Sequence, residues 1–574
     1  MRGLQRLTPT SDPELPVLSR ISRSSPTRPL LLALAELTCF VAPLGVLLWA
    51  LRAPLGSLGR GLWGPEQPWG NGDFVGNFWC WWREAELWTT GVEWLDATGW
   101  PGGGGVLDQL FPNRLDAKLA LPWFDLDSWA QVWNTMGLSF LLLAVLAVVL
   151  TARLAGASRV AASTAGVVLA MSPTLLHELG WGRMAGFMVW PGILALAAVA
   201  GALRTPRSRL PWPALAVAGL LLTLQAIAYP FHGMAAGLAC VAVLAAAPTS
   251  WTRRGAMLAV LTGVATAAAL PWLAAQAADF SAMTGAPPPA GYTSMPVAGL
   301  LGMSSAPERF RLLPLALPVA LLALGSRRAR PWAVGGLLVL MLALGPRLCW
   351  TLGGAALPSP TAWLMAVSDG FARMHHPVRA APLGLAAIAV AAALMLDPAR
   401  ERLRWLRVAG IAALWVAALL NQSTMTMVTT WDGPTEPPGV DAARWLADQG
   451  DAPVADVLSG KHMAGVALQP WHRRPLLESV QGYSPASGGT WSTQQQDAAE
   501  RIAALSRGEI PTDEALLSLE AMGVSALLVV DRQQHWTGAP SPLPAQRALT
   551  TALGPPAYRD DEAAVWLLGV TRRP

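Results

Sequence analysis

Charge is scarce in this chain. Only 13% of its 574 residues are Asp, Glu, Lys or Arg, about half the roughly 25% of an average soluble protein, and a globule in water could not solvate its surface with so few. Lysine is nearly absent: Lys118 and Lys461 are the only two, so the net charge of +5 rests on arginine. Much of that arginine lies in short clusters between apolar blocks rather than in the kind of basic face that binds nucleic acid. There are 4 cysteines, Cys39, Cys80, Cys240 and Cys349, and no CxxC pair. Cys39 and Cys240 fall inside apolar runs, where a thiol packs as a small hydrophobe, while a Cys80–Cys349 disulfide is left open. No Walker loop, GxSxG or HExxH stands in a suitable context, which removes support for ATP-driven transport, serine hydrolysis and zinc proteolysis. Clusters of His, Met or Cys for haem or copper are missing as well.

What the chain has is grease: 53% hydrophobic residues, 28 Trp, and long uninterrupted apolar blocks that exclude disorder and collagen-like repeats despite 54 Gly and 48 Pro. This is the composition of an integral membrane protein. With about 20 apolar residues per span, the sequence predicts about eleven transmembrane helices: Leu30–Leu51, Thr135–Leu154, Val160–Leu176, Ala185–Leu203, Trp212–Pro230, Gly233–Ala247, Ala256–Gln276, Leu312–Gly325, Trp332–Leu348, Ala380–Leu396 and Val408–Met425. Tyr229-Pro230-Phe231-His232 marks a tight helical hairpin. Every second connection is a compact arginine cluster, at the N-terminus, 153–159, 204–209, 253–254, 327–330 and 400–407. The excess of positive charge on alternate loops puts the N-terminus in the cytoplasm and the C-terminus outside a bacterial inner membrane. A 29-residue leader before the first apolar block reads as an uncleaved anchor rather than a signal peptide.

The expected organisation is therefore a cytoplasmic tail over residues 1–29, a multi-pass bundle over 30–430 with a large first outer loop at 52–134, and an extracytoplasmic region over 431–574. The last is long enough for a core of its own. In it Val440–Gln449, Ala498–Arg507 and Asp513–Ala521 have helical spacing, and Ala452–Leu458, Val524–Val530 and Ala563–Val570 read as strands. Strands alternating with helices predict an α/β fold there. The fold class expected for the whole chain is an all-α polytopic membrane bundle with a C-terminal extracytoplasmic α/β domain.

The first outer loop contains Gly72-Asp73-Phe74-Val75-Gly76-Asn77-Phe78-Trp79-Cys80-Trp81-Trp82-Arg83-Glu84. Tryptophans at this depth serve as interfacial anchors, but an acid flanked by Gly at the bilayer surface is costly unless paired or working. Its work would be that of a general base on a hydroxyl; its alternative is to cap the helix that follows. Glu36, inside the first span, is a second unusual acid, bonded to a neighbouring helix or protonated. His177-Glu178-Leu179-Gly180-Trp181-Gly182-Arg183 is another polar knot, in which Glu178 either pairs with Arg183 or joins Asp73 as a second carboxylate. Asp125 and Asp127 form a DxD that holds a divalent metal or simply solvates a helix start.

The order of these features resembles the bacterial GT-C-type membrane glycosyltransferases and the related YfhO-like membrane proteins. The match runs through Gly72-Asp73-x-x-x-Asn77-x-Trp79, Trp100-Pro101-Gly102-Gly103, Trp133-Asn134, and Met171-Ser172-Pro173 with His177 after it. It continues with Arg373-Met374-His375-His376-Pro377-Val378-Arg379, which is similar to the family's R-x-P-x-R segment with its first Arg two residues further from the Pro. In the tail it includes 522–530, Leu553-Gly554-Pro555-Pro556-Ala557-Tyr558 and Val565-Trp566-Leu567-Leu568. The resemblance implies a GT-C-like bundle and Asp73 as catalytic base. It also implies a polyprenyl-phosphate-linked sugar donor, with a glycan, lipid or protein acceptor at the outer face of the membrane. The donor phosphate would be met by cations at that depth, Arg309, Arg379, Arg373 and Arg183, with His375 and His376 beside them and His177 and Glu178 close by. Arginines there also serve as lipid-headgroup contacts. Trp79 and Trp82 would offer a sugar-stacking surface, and Asp125 and Asp127 are the only candidates for a metal. A chain of this kind could equally be a carrier or assembly factor for lipid-linked glycans that keeps the fold without turnover. A secondary transporter is a third reading, one for which no paired half-helices stand in matching halves of the chain.

Overall fold

In lipid every backbone N–H and C=O must be satisfied within the protein, so apolar runs become helices. The structure, a computed structural model, describes residues 27–58, 61–92, 115–275, most of 294–397, 404–420, 428–458, 464–477, 493–531 and 541–569. Its membrane-side helices, in chain order, are α1 (Thr27–Ala50), α2 (Gly72–Thr90), α3 (Trp129–Ala155), α4 (Arg159–Ala170), α5 (Pro173–Gly180), α6 (Trp190–Arg204), α7 (Trp212–Ala228), α8 (Pro230–Ala246), α9 (Trp251–Ala275), α10 (Arg330–Ala343), α11 (Ala381–Leu396) and α12 (Arg404–Leu420).

Four described stretches are long and apolar enough to cross a bilayer, Trp129–Ala155, Met184–Arg204, Trp251–Pro271 and Pro377–Leu396; the pair α4–α5, bent by 41°, adds a fifth if it is taken as one broken span. Several other apolar helices are shorter, among them α7 and α8 at 17 residues each and α10 at 14. Among the described residues the span count therefore stays below the expected eleven or so, several of which read as short or broken by proline, and proline is one reason. The run read as Val160–Leu176 breaks at Met171-Ser172, because Pro173 has no N–H to donate and disfavours helical backbone just before it. The run read as Leu312–Gly325 forms only Ala316–Ala323, and that read as Trp332–Leu348 stops at Ala343 and turns into a strand.

The bundle is built around α11. The stretch Pro377–Leu396 is 89% buried, against 11% for Trp251–Pro271 at the periphery. Small residues let the backbones close, as expected where lipid gives helices no hydrophobic reason to associate. A Cβ at Gly336 of α10 would sit 2.6 Å from Ile388 Cγ1 and 2.8 Å from the Gly384 carbonyl oxygen of α11. The break before α6 is bridged by the buried Gln225 of α7, which accepts from Gly192 N (2.9 Å) and donates to Met188 O (2.9 Å).

Two short antiparallel ribbons close one end of the bundle. Strand β1 (Leu62–Gly64) pairs with β4 (Thr429–Trp431), and β2 (Arg347–Cys349) with β3 (Ala356–Pro358). The Trp133-Asn134 pair pins β1 onto α3: Asn134 accepts from Trp63 N (2.8 Å) and donates to Gly61 O (2.7 Å), and Trp133 Nε1 donates to Trp63 O (3.0 Å). All four cysteines are free thiols, Cys80 buried, so the Cys80–Cys349 bridge left open by the sequence is not formed.

The C-terminal part carries a four-stranded mixed sheet in the order β5 (Val454–Asp456), β6 (Ala526–Val530), β8 (Ala563–Leu567), β7 (Tyr558–Arg559), with β5 and β6 parallel. Side chains alternate across a strand, and here both faces are covered. Ala526, Leu528 and Val530 of β6 join the core shared with α13 (Val440–Ala447) and α14 (Ala464–His472). Leu527 and Val529 pack with α15 (Thr493–Ser506), α16 (Asp513–Ala521) and α17 (Leu543–Leu553). The period-2 and period-3.6 patterns account for most of these elements; α14, with Pro470 inside it, and α17, with Pro544 in its first turn, were not among the helices expected from the sequence.

Candidate functional site

Helix α5 is short because Trp181 and Gly182 turn the chain sharply, Gly182 at φ +68°, a conformation that favours glycine. The turn leaves Glu178 facing back into the bundle, where it meets two arginines. Its Oε2 lies 3.1 Å from Arg379 Nε and its Oε1 3.6 Å from Arg183 Nη1, with the three side chains 5%, 9% and 14% exposed. Arg379 comes from the turn Pro377–Ala380 that starts the central stretch. Its guanidinium also donates to the Tyr229 hydroxyl and lies 5.6 Å from the centre of that ring, and its carbonyl oxygen accepts from His232 Nε2 at 3.0 Å. Tyr229 is the single extended residue joining α7 to α8, so the hairpin expected at Tyr229-Pro230 is the element that brings the phenol to the arginine. Arg183 stacks 5.0 Å over Trp181, and His177, buried, contacts the same indole edge-on at 5.6 Å.

This is a buried carboxylate held between two guanidiniums. Such a pair is held together as a unit, since removing either partner strands a charge in a poorly solvating place. Chemically it orients Arg379 and offers cations to an anion entering from the same end, at the cost of competition from Glu178.

Helix α2 begins beside this knot. Asn71 caps it, its side-chain oxygen accepting from Phe74 N at 3.2 Å, so Asp73 is not the cap; its backbone lies in the first turn, where the helix dipole favours a carboxylate. A Cβ added to Gly182 would fall 2.6 Å from the Phe74 side chain, which puts the Trp181-Gly182-Arg183 turn against the residue next to Asp73. The Asp73 side chain itself lies outside the described residues, as do Arg309, Arg373, His375, the side chain of Glu36 and the Trp100-Pro101-Gly102-Gly103 segment. His376 caps the Pro377–Ala380 turn, and Arg379 N donates to its carbonyl oxygen at 3.0 Å.

The Trp-rich face of α2 does not form an open sugar platform. Trp79 and Trp82 are 0% and 1% exposed, and α14 covers this face of the helix at Trp79 and Phe78: Trp79 Nε1 donates to Gln469 Oε1 at 2.7 Å, and Phe78 stacks on Trp471 at 5.9 Å. These indoles bind the C-terminal part to the bundle instead. Asp125 and Asp127 are exposed at the foot of α3, and among the described residues no three His, Cys, Asp or Glu converge where a metal could sit.

Four residues of this region escaped the sequence reading as partners. Tyr229 and His232 belong to the knot, and their signal was an aromatic and an imidazole flanking a proline hairpin between apolar runs. Asp116, beside α2, and Glu86, on α2, are buried acids bonded to Trp81 Nε1 (2.9 Å) and to Arg473 (2.7 Å) respectively. Beyond Arg473 the buried Arg474 donates to Ala452 O (2.7 Å) and to the Ser525 hydroxyl, and its backbone N–H to His472 Nδ1 (3.1 Å). Burial, and then the Arg474 charge, push the His472 imidazole down to about 3.

No protein-family model matches the chain, and no curated protein matches it in sequence. Solved structures do resemble it. The arabinofuranosyltransferase AftD from Mycobacteria is 16% identical, with a TM-score of 0.54, over 96% of this chain and 40% of that one. The oligosaccharyltransferase of Archaeoglobus fulgidus in its apo form is 14% identical, with a TM-score of 0.51, over 87% of this chain and 70% of that one. The chain thus spans less than half the length of the mycobacterial protein. At these identities the likeness speaks for the fold, which is of the GT-C type found in membrane glycosyltransferases.

Proposed function

We propose that the chain is an inverting membrane glycosyltransferase that moves a sugar from a polyprenyl-phosphate-linked donor to an acceptor on the outer face of a bacterial inner membrane, with the N-terminus cytoplasmic and the C-terminal α/β region outside. Asp73 takes the proton of the acceptor hydroxyl as that oxygen bonds to the anomeric carbon. The bond from that carbon to the phosphate oxygen breaks, and the polyprenyl phosphate leaves with the electron pair. Arg379 and Arg183 meet the donor phosphate, since a guanidinium matches phosphate oxygens bidentately, and the sequence resemblance extends that role to Arg309, Arg373 and His376.

The observation that carries the reading is the packing of Gly182 against Phe74. It joins the helix start that bears Asp73 to the Glu178–Arg183–Arg379 knot, so base and cations belong to one neighbourhood on a GT-C-type fold. The test is release of polyprenyl phosphate from synthetic lipid-linked sugars by the purified, reconstituted chain. Asp73→Asn should lower the rate by about 10²–10⁴-fold, the usual worth of a positioned base, with an unchanged melting temperature. An undiminished rate removes Asp73 from the chemistry.

A second reading has its own support: Glu178 already engages both arginines, as in a protein that holds a lipid-linked glycan without turning it over. Donor retained on the protein with no sugar released favours this carrier or assembly role. Kinship with the YfhO-like branch is part of the same proposal and rests on the sequence motifs.

A further inference from the structure

The end of the bundle away from Glu178 gathers charge that sugar transfer does not use. Helices α6, α7, α8 and α9 run back and forth, so the turn after Arg204 and the turn after Ala246 meet at that far end. Between them opens a cavity of about 770 Å³ lined by Arg207, Arg209, Arg253 and Arg327, with Thr249 and Ser250 and with no Asp or Glu. Its volume lies within the roughly 300–1,000 Å³ of ordinary ligand sites. Arg253 fastens the two turns together, donating to Pro206 O and Thr205 O at 3.0 Å each. Arg207, Arg209 and Arg327 are exposed, the first two from the turn between α6 and α7 and the third from the turn before α10. The neighbouring Arg328, outside the lining, pairs with Asp397 at 3.7 Å. Like charges drawn into one concave space repel one another unless an anion joins them.

The surroundings say which anion. Trp212 and Trp251 flank the cavity and are 64% and 81% exposed, and Arg254 lies 4.4 Å over the Trp251 ring. Exposed tryptophans at helix ends mark the headgroup layer of a bilayer, and basic pockets between spans at that depth suit anionic lipids. We propose that this cavity binds the phosphate of an anionic phospholipid headgroup, with the Arg207, Arg209 and Arg327 guanidiniums on the phosphate oxygens and the Thr249 and Ser250 hydroxyls beside them.

The full chain, purified in neutral detergent, is titrated with short-chain phosphatidylglycerol, with phosphatidylcholine of the same chain length, and with inorganic phosphate, and bound species are read by native mass spectrometry. Phosphatidylglycerol should bind and phosphatidylcholine should not, with inorganic phosphate competing only far above the lipid concentration. The double variant Arg207→Gln/Arg327→Gln should bind phosphatidylglycerol about thirtyfold more weakly, the loss of two basic contacts at about 1 kcal/mol each. Arg347→Gln/Arg559→Gln, which removes two exposed arginines elsewhere, should bind it as the unmodified chain does. Equal loss in both variants, or equal binding of the two lipids, overturns the site. Phosphate bound as tightly as the lipid and lost in the first variant reassigns the cavity to a soluble anion and overturns the headgroup. The variants alter exposed side chains, and matching melting temperatures exclude misfolding as the cause.

Discussion

At Arg379 one side chain serves three purposes: it neutralises Glu178, donates to the Tyr229 hydroxyl and covers the Tyr229 ring. Removing the carboxylate that it meets, by Glu178→Gln, should cost about 3–5 kcal/mol, because both guanidiniums then lose the acid they share, read as a fall in melting temperature. Adding Arg379→Met should recover part of that loss, because one of the two cations is then gone; a double variant no more stable than Glu178→Gln would show that the pair is not coupled. Of the two pairings open in the sequence for Glu178, the structure displays the one with Arg183 and adds Arg379. That partner could not be read from spacing, since it lies two hundred residues along the chain and only the α7–α8 hairpin brings its setting together. His472 offers a separate test. In the folded chain its pKa is lowered to about 3, against about 6.5 when unfolded, so the unfolded state binds the proton first. Its contribution to stability is whole above about pH 6.5 and is lost as pH falls toward 3. The C-terminal part should melt earlier at pH 5 than at pH 7.5, and His472→Gln, which keeps an acceptor for Arg474 N, should flatten that dependence; an equal pH slope in the variant would clear His472 of the effect.

At the scale of elements, two glycines set how closely the helices approach. Gly336→Val would drive a branched side chain into Ile388 and the Gly384 carbonyl, pushing α10 off the central helix. The expected loss is about 1–3 kcal/mol, typical of overpacking, measured as thermal unfolding in detergent. Gly182→Ala combines a positive φ with a clash against Phe74; it should shift the start of α2 and lower the donor-release rate while leaving α10 and α11 intact. Long apolar runs such as α3 and α11, and the amphipathic spacing of α13, were legible from their residues, and so were strands β5, β6 and β8. Proline-interrupted runs were not: hydropathy averages over Pro173 as if the helix continued, whereas the backbone breaks there. The Trp run of α2 was legible as a helix, but not its burial, because an indole suits an interface and an interior equally well and only its covering element decides.

For the molecule as a whole, the C-terminal part is clamped to the bundle through α2. Trp79 meets Gln469, Phe78 meets Trp471 and Glu86 meets Arg473, all on the helix whose first turn bears Asp73. Trp79→Phe should leave the buried Gln469 oxygen short of a donor, at about 1–3 kcal/mol, and should raise the rate at which protease cuts between the bundle and the sheet. The membrane class was readable from composition alone, since too few charges admit no other solvent. The docking of the tail was not, because it depends on contacts such as Trp79–Gln469, which are 390 positions apart in the chain. The ribbon of β1 and β4 has the same long reach: the Thr429 hydroxyl bonds the carbonyl of Gly64, 365 positions earlier. During synthesis β1 emerges early and must wait, its edge unmatched, until nearly all the bundle has been threaded into the bilayer. Closure of this end is thus among the last events of biogenesis, and a ribosome stalled before codon 429 would leave an inserted protein whose roof has never been fastened.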